Sequence, residues 1–178
     1  IAINLSGRQV VRASLAERFA TILRETGAPP DRVELEITES VLHRVEQSRA
    51  VLERLKGLGL RLAVDDFGAG YSSLAHLRHL PIDTLKIDRS FVEGVPANAE
   101  SNSIVEAIIT LGHGLRLTVV GEGVETPAQH DFLHALRCDY VQGNLYGRAA
   151  PLDETERLLA RGVTGAGGWR EGRAIWRH

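Results

Sequence analysis

The chain has 178 residues, 43% of them hydrophobic and 25% charged, with a formal net charge of −2 at pH 7, the profile of an ordinary globular domain able to bury a substantial core. The slight acidic balance argues against a general binder of DNA, RNA or membrane surfaces, all of which need a basic excess. A single cysteine, Cys138, permits no internal disulfide, and no apolar run approaches the ~18 residues of a membrane span, so the cytoplasm is the expected compartment, even for a parent protein anchored by other segments.

The chain opens on IAINLS, which reads as a strand over Ile1–Leu5, and a helix follows over roughly Ala13–Thr26. A second strand is predicted at Val33–Ile37. Its helix covers Val45–Leu58, where Val45, Val51, Leu52, Leu55 and Leu58 fall at helical spacing and Gly57 and Gly59 mark the stop. The third pair is Arg61–Asp65 with a helix at Ser72–Leu80, and the fourth is Thr84–Ile87 with a helix at Ala99–Gly114. Leu117–Gly121 precedes a helix at Pro127–Arg137, whose first turn suits Pro127 with Thr126 as its cap. Asp139–Val141, the weakest strand, precedes a helix at Asp153–Arg161; the glycine-rich stretch 162–178 reads as a flexible tail behind a domain spanning 1–161. The sequence contains no methionine and opens in mid-pattern, so further residues are expected upstream.

Strict alternation of strand and helix implies a parallel sheet with helices outside, either an open doubly wound sheet or a closed barrel. The strand ends discriminate between them. Asn4, Glu36, Asp65, Lys86 and Glu122 close five strands, and Gln142 holds the equivalent place after the sixth. Side chains alternate along a strand, so Asn4 shares a face with Ala2, Glu36 with Glu34, Asp65 with Ala63, Lys86 with Thr84, and Glu122 with Val120. The opposite faces are isoleucine, leucine and valine. One apolar face for helices and one face ending in polar groups at each strand is the pattern of the catalytic rim of a (β/α)₈ barrel, whereas an open sheet concentrates its site at one switch point. A barrel of that class has eight units and typically ~250 residues, so about six of the eight β/α units are expected here.

Asn4, Glu36, Asp65 and Asp66 offer hard oxygen ligands, and carboxylates crowded together are stabilised by a cation. Oxygen-only coordination suits Mg²⁺ or Mn²⁺ and not zinc. Any one of these acids alone reads as a helix cap or a solvated rim residue; polar strand ends in register favour a site. Two adjacent aspartates can serve two ions, with Asp65 bridging, and two-metal sites commonly drive phosphodiester hydrolysis. Lys86, in TLKIDRS, is either a lysine snorkelling to the rim or a cation for a phosphate oxygen or the attacking water. Glu122 and Glu125 bracket the glycine turn of VGEGVET, and only Glu122 has the inward phase.

Rival motifs fail on context. DFG is shared with a kinase metal motif, but no glycine-rich lid, HRD-type loop or APE segment accompanies it. GAGYSS lacks the third glycine of a dinucleotide fingerprint, and two aspartates before it would repel a pyrophosphate. The seven histidines form no HExxH pattern, and Ser72 and Ser73 sit in no GxSxG elbow.

Taken in order, INLS at Ile3–Ser6, LEITES at Leu35–Ser40, DDFGAGYSSL at Asp65–Leu74, LPIDTLKIDRSFV at Leu80–Val92, GEGVET at Gly121–Thr126 and CDYVQG at Cys138–Gly143 closely resemble the EAL-domain family of bacterial cyclic di-GMP phosphodiesterases. The resemblance covers roughly Ile1 to Leu159 and implies an EAL-type (β/α)₈ TIM-like barrel that hydrolyses cyclic di-GMP to linear pGpG with two ions, Mg²⁺ or Mn²⁺. It implies Asn4, Glu36 and Asp65 as ligands of one metal, with Asp65 and Asp66 serving the second and Glu122 as a ligand or the base on water. Lys86, Glu122 and Asp66 are thus the implied catalytic residues. Gln142 would help position the site, Glu39 would hold the Asp66–Ser73 loop and Glu125 would brace the neighbouring turn. Implied partners are cyclic di-GMP, a second copy in a homodimer, and a GGDEF or sensory domain in the parent chain. The sequence departs from the family pattern in three places. The Glu-Ala-Leu segment, whose glutamate is a ligand, does not occur; Gly121 stands where alanine is usual; and Gly147, Arg148, Ala149 replaces Ser-Arg-Pro, leaving only Arg148. The alternative is therefore an inactive EAL-type cyclic di-GMP receptor or interaction module, and these 178 residues alone are expected to have little activity.

Overall fold

The structure, a computed structural model, describes residues 1–39, 45–69 and 77–160. Most of the helix expected at Ser72–Leu80 and the whole of the tail expected at 162–178 lie outside the described residues. The chain divides into two compact units, one of Ile1–Lys86 with Gly114–Leu117 and one of Ile87–His113 with Thr118–His178.

In the first unit, β1 (Ala2–Leu5), β2 (Glu34–Thr38), β3 (Arg61–Phe67) and the first residues of β4 (Thr84–Ile87) lie side by side in that order. The pairs β1–β2 and β2–β3 are parallel, with Asn4 opposite Glu36 and Glu36 opposite Ala63. Between the strands run α1 (Gly7–Val10), α2 (Leu15–Thr26) and α3 (Val45–Gly57). Leu35, Ile37, Leu62, Val64 and Leu85 are completely buried and take Leu52 and Leu55 of α3 into the same core; each such side chain contributes roughly 1.5–3 kcal/mol by leaving water. Asp83 fixes where β4 begins. Its carboxylate accepts from Leu62 N–H at 2.8 Å and from Lys56 Nζ at 2.7 and 2.8 Å, while its own N–H donates to Leu62 O at 2.9 Å.

The second unit contains α4 (Arg89–Gly94), α5 (Ala99–Gly114), β5 (Thr118–Glu122), α6 (Pro127–Ala135), β6 (Tyr140–Gln142) and α7 (Leu152–Ala160). Strands β5 and β6 pair in parallel, with Glu122 opposite Gln142. Asp88 caps α4 by accepting from Ser90 N–H at 2.8 Å. The cap expected at Thr126 is present: its hydroxyl accepts from Gln129 N–H at 3.3 Å, and Gln129 Oε1 accepts from Thr126 N–H at 2.9 Å. Val92, Val105, Val119, Val124 and Leu133 are completely buried and form this unit's core.

Several boundaries differ from those predicted. Strand β3 continues past Asp65 to Phe67, whose ring is buried, because an acid does not end a ladder whose next apolar residue still has a core to fill. Helix α6 stops at Ala135 rather than Arg137, since Arg137 turns left-handed at φ 60°. Helices α1 and α4 are too short to leave a periodic signature in sequence.

Cys138 is buried, with Sγ 3.2 Å from Tyr140 O and 3.6 Å from Val119 O. Burial pushes its thiol up from an ordinary 9.0 to about 12, against the lowering by the Tyr140 backbone hydrogen bond. The folded thiol therefore stays protonated where the unfolded one ionises, so its contribution to stability is complete below pH 9.0 and is lost as pH rises towards about 12. At pH 8, iodoacetamide is expected to leave Cys138 unmodified in the folded chain and to alkylate it fully in denaturant, as read by mass spectrometry. Equal rates in both states would mean the thiol is accessible.

Candidate active site

The C-terminal ends of β2, β3 and β4 bring three of the expected residues together. Lys86 Nζ lies 2.6 Å from Glu36 Oε1 and 3.2 Å from Asp65 Oδ1. The three side chains are only 5%, 8% and 13% exposed, in the order Lys86, Glu36, Asp65. Alternation explains the meeting: Glu36 and Lys86 interrupt runs whose other members, Leu35, Ile37, Leu85 and Ile87, are completely buried in the apolar core. Two nearly buried carboxylates thus share one ammonium. Charge sharing is incomplete, because Asp65 Oδ1 is buried and accepts no hydrogen bond despite its closeness to Lys86.

The opposite ends of the same strands are balanced differently. There Glu34 Oε2 accepts from Thr84 Oγ1 at 2.7 Å and lies 3.4 Å from Arg61 Nε. One acid there has one partly exposed arginine and a hydroxyl, so no charge is left over. The excess of acid is confined to the C-terminal ends, which is where a barrel of this class carries its chemistry.

At Asp66 the backbone turns to φ 53°, a left-handed conformation that aspartate tolerates better than most residues. Strand alternation stops being a guide there, and Asp66 is exposed beside the more buried Asp65. Glu39, 3% exposed, accepts from Gly68 N–H at 2.8 Å through Oε2, which ties the end of β2 to the turn after Asp66. Asn4 stands opposite Glu36 in the ladder and is exposed.

In the second unit, Glu122 and Gln142 are the facing last residues of β5 and β6. Glu125 is exposed; its Oε1 accepts from Asn144 Nδ2 at 3.1 Å, and its N–H donates to Gln129 Oε1 at 2.8 Å. Arg148 is exposed on the segment after β6. Asn144 was not among the expected residues. No sequence signal marks it, because its partner is 19 residues away and on another turn.

The donor set is hard oxygen, and the buried Asp65 Oδ1 that accepts no hydrogen bond is the atom a divalent cation would satisfy. The residues of the first unit therefore fit a hard divalent cation better than zinc, for which the described ends of these strands offer neither thiolate nor imidazole.

The family model described as "EAL domain" matches residues 1–149. The chain belongs to the EAL-domain family. The cyclic di-GMP phosphodiesterase NbdA of Pseudomonas aeruginosa is 45% identical over 160 residues, which are 89% of this chain and 20% of NbdA. MucR of the same organism, named as a bifunctional diguanylate cyclase and cyclic di-GMP phosphodiesterase, is 43% identical over 161 residues, 90% of this chain and 23% of MucR. The structure of the MucR phosphodiesterase in complex with cyclic di-GMP superposes with a TM-score of 0.83 at 42% identity, covering 87% of this chain and 63% of that one. That of Klebsiella pneumoniae BlrP1 with manganese and cyclic di-GMP gives a TM-score of 0.77 at 34% identity, covering 83% of this chain and 38% of that one. The chain thus spans about a fifth of the curated relatives it matches. Its fold is α/β, that of part of the EAL-type (β/α)₈ barrel, with six strands among the described residues.

Proposed function

We propose that this EAL domain hydrolyses cyclic di-GMP to linear pGpG with the help of two divalent cations, Mg²⁺ or Mn²⁺. The observation that carries the proposal is the sharing of Lys86 between Glu36 and Asp65, whose buried Oδ1 accepts no hydrogen bond. It is supported by the manganese and cyclic di-GMP complex of the related BlrP1 and by the activity that names NbdA. Bound cations would neutralise charge on the phosphodiester and lower the pKa of the attacking water. On this reading Asn4, Glu36 and Asp65 hold one ion, and Asp65 and Asp66 serve the other. Lys86 holds the water or a phosphate oxygen. Glu122 is a ligand or takes the proton of the water, and Gln142 orients the site. Glu39 steadies the turn after Asp66, Glu125 the turn after Glu122, and Arg148 contacts the nucleotide.

The domain works in the cytoplasm on this reading, as a homodimer within a longer chain that carries a GGDEF or sensory module. Among the described residues no helix is long and apolar enough to cross a membrane. A second reading is a receptor that binds cyclic di-GMP without turnover. Calorimetric titration and chromatographic detection of pGpG, in Mn²⁺ and in EDTA, separate the two. Metal-dependent binding by this chain and metal-dependent pGpG formation by the protein at its full natural length are expected. Binding without pGpG at either length supports the receptor, and absence of binding in Mn²⁺ removes both readings.

A further inference from the structure

The turns after β5 and β6 are joined more tightly than the strand pairing requires. Val124 N–H donates to Gln142 O at 3.0 Å, and Leu145 N–H donates to Val124 O at 3.0 Å, so the end of β6 and the segment after it engage both backbone groups of one residue in the turn after β5. A Cβ on Gly143 would lie 2.1 Å from Val124 O and 2.3 Å from Val124 N. These are backbone atoms that cannot swing aside, so only glycine admits the approach. On the other flank, a Cβ on Gly123 (φ +73°) would meet Arg89 Cβ at 2.6 Å. One side chain closes the arrangement, as Asn144 Nδ2 donates to Glu125 Oε1 at 3.1 Å. Glu125 N–H and Thr126 N–H in turn donate to Gln129 Oε1 at 2.8 and 2.9 Å, and Gln129 is buried on α6. The turn after β5 is held by β6, by α4 and by α6 at once.

Glu122 and Gln142 are the last paired residues before these turns, so whatever joins the turns sets the spacing of the two side chains. Resting on the reading of Glu122 and Gln142 as site residues, we propose that Asn144 and Gly143 are positioning residues: they clamp the two turns into one body that presents Glu122 and Gln142 together. Asn144 acts through Glu125 and does not touch the substrate. A carboxylate accepting a hydrogen bond from a neutral amide is a charge-assisted bond, and here it joins the two turns directly at 3.1 Å.

The test compares the parent with Asn144→Ala, Asn144→Asp and the double variant Asn144→Asp/Glu125→Gln. The double variant rebuilds the hydrogen bond with donor and acceptor exchanged and keeps the net charge. Hydrogen exchange at the Val124 and Leu145 amides is expected to quicken about tenfold in Asn144→Ala, the size expected for a hydrogen bond to a charged acceptor. It quickens further in Asn144→Asp, where two carboxylates oppose, and returns to within about twofold of the parent in the double variant. In the full-length protein kcat for cyclic di-GMP follows the same order with KM little changed while the folded fraction, read by circular dichroism, stays that of the parent. Unchanged exchange in Asn144→Ala, no rescue in the double variant, or altered exchange with unaltered kcat each overturns the proposal. Exchange needs no turnover, so a protein that does not hydrolyse cyclic di-GMP refutes the functional reading and leaves the clamp to be decided by exchange and rescue alone.

Discussion

Lys86→Met is expected to lower the unfolding temperature sharply in EDTA and to recover most of the loss when Mn²⁺ is added. The lysine is 5% exposed and its ammonium lies 2.6 Å from Glu36 and 3.2 Å from Asp65. Methionine keeps the apolar stem and removes the charge, so both carboxylates are left buried with no cation. Removing one partner of a buried pair costs about 3–5 kcal/mol, which in a chain of this length corresponds to roughly 10 °C or more. A divalent cation at the same carboxylates supplies the missing positive charge and cancels much of that cost. Hydrolysis by the full-length protein should fall about 10²- to 10³-fold even with saturating metal, because on the proposed reading the donor to the water or a phosphate oxygen is gone. Scanning calorimetry in the two conditions decides it. An equal loss with and without Mn²⁺ would make Lys86 a structural residue with no link to a metal.

Asp65→Asn should behave in the opposite way. The substitution removes one of two carboxylates that share a single ammonium, and it replaces an acceptor-only oxygen that has no hydrogen bond with an amide that can donate. Lys86 and Glu36 remain as a balanced pair at 2.6 Å. Without metal the variant should be more stable than the parent, as expected where a site holds charge in readiness for a ligand. With metal the order reverses. The parent gains about 2.7 kcal/mol when Mn²⁺ reaches a hundred times its Kd, and Asp65→Asn gains almost nothing. Hydrolysis is expected to drop by about a thousandfold or more, since the residue bridges both ions on the proposed reading. Calorimetric titration with Mn²⁺ alone reads the binding directly. Undiminished affinity in the variant would place the metal elsewhere.

Much of this site is legible along the chain. Glu36 and Lys86 stand out because they interrupt runs of leucine, isoleucine and valine at strand spacing, and charge in such a run is costly unless it meets a partner. The structure supplies the partner, each to the other. The lock at Asp83, by contrast, reads in sequence as an ordinary loop acid. Its three contacts come from β3 and α3 and exist only once those elements are packed. Asn144 is invisible for the same reason, and Gly143 reads as one more turn glycine until the Val124 peptide is placed 2.1 Å from its absent Cβ. The two short helices, α1 and α4, escape because four to six residues cannot display a period of 3.6.

The sequence by itself determined the alternation of strands and helices, the apolar and polar faces of each strand, and the acids, lysine and glutamine that end them. Those properties are local, since they depend on side-chain chemistry at a spacing of two or of three and four residues. Only the tertiary structure decided how charge is apportioned among them. It gave Glu34 a threonine hydroxyl and an arginine at one end of the strands. At the other end it gave Glu36 and Asp65 one lysine between them and left an oxygen of Asp65 without a hydrogen bond. That distribution depends on distances between residues tens of positions apart, and burial, which makes an unshared charge costly, exists only after the strands have paired and the helices have covered them.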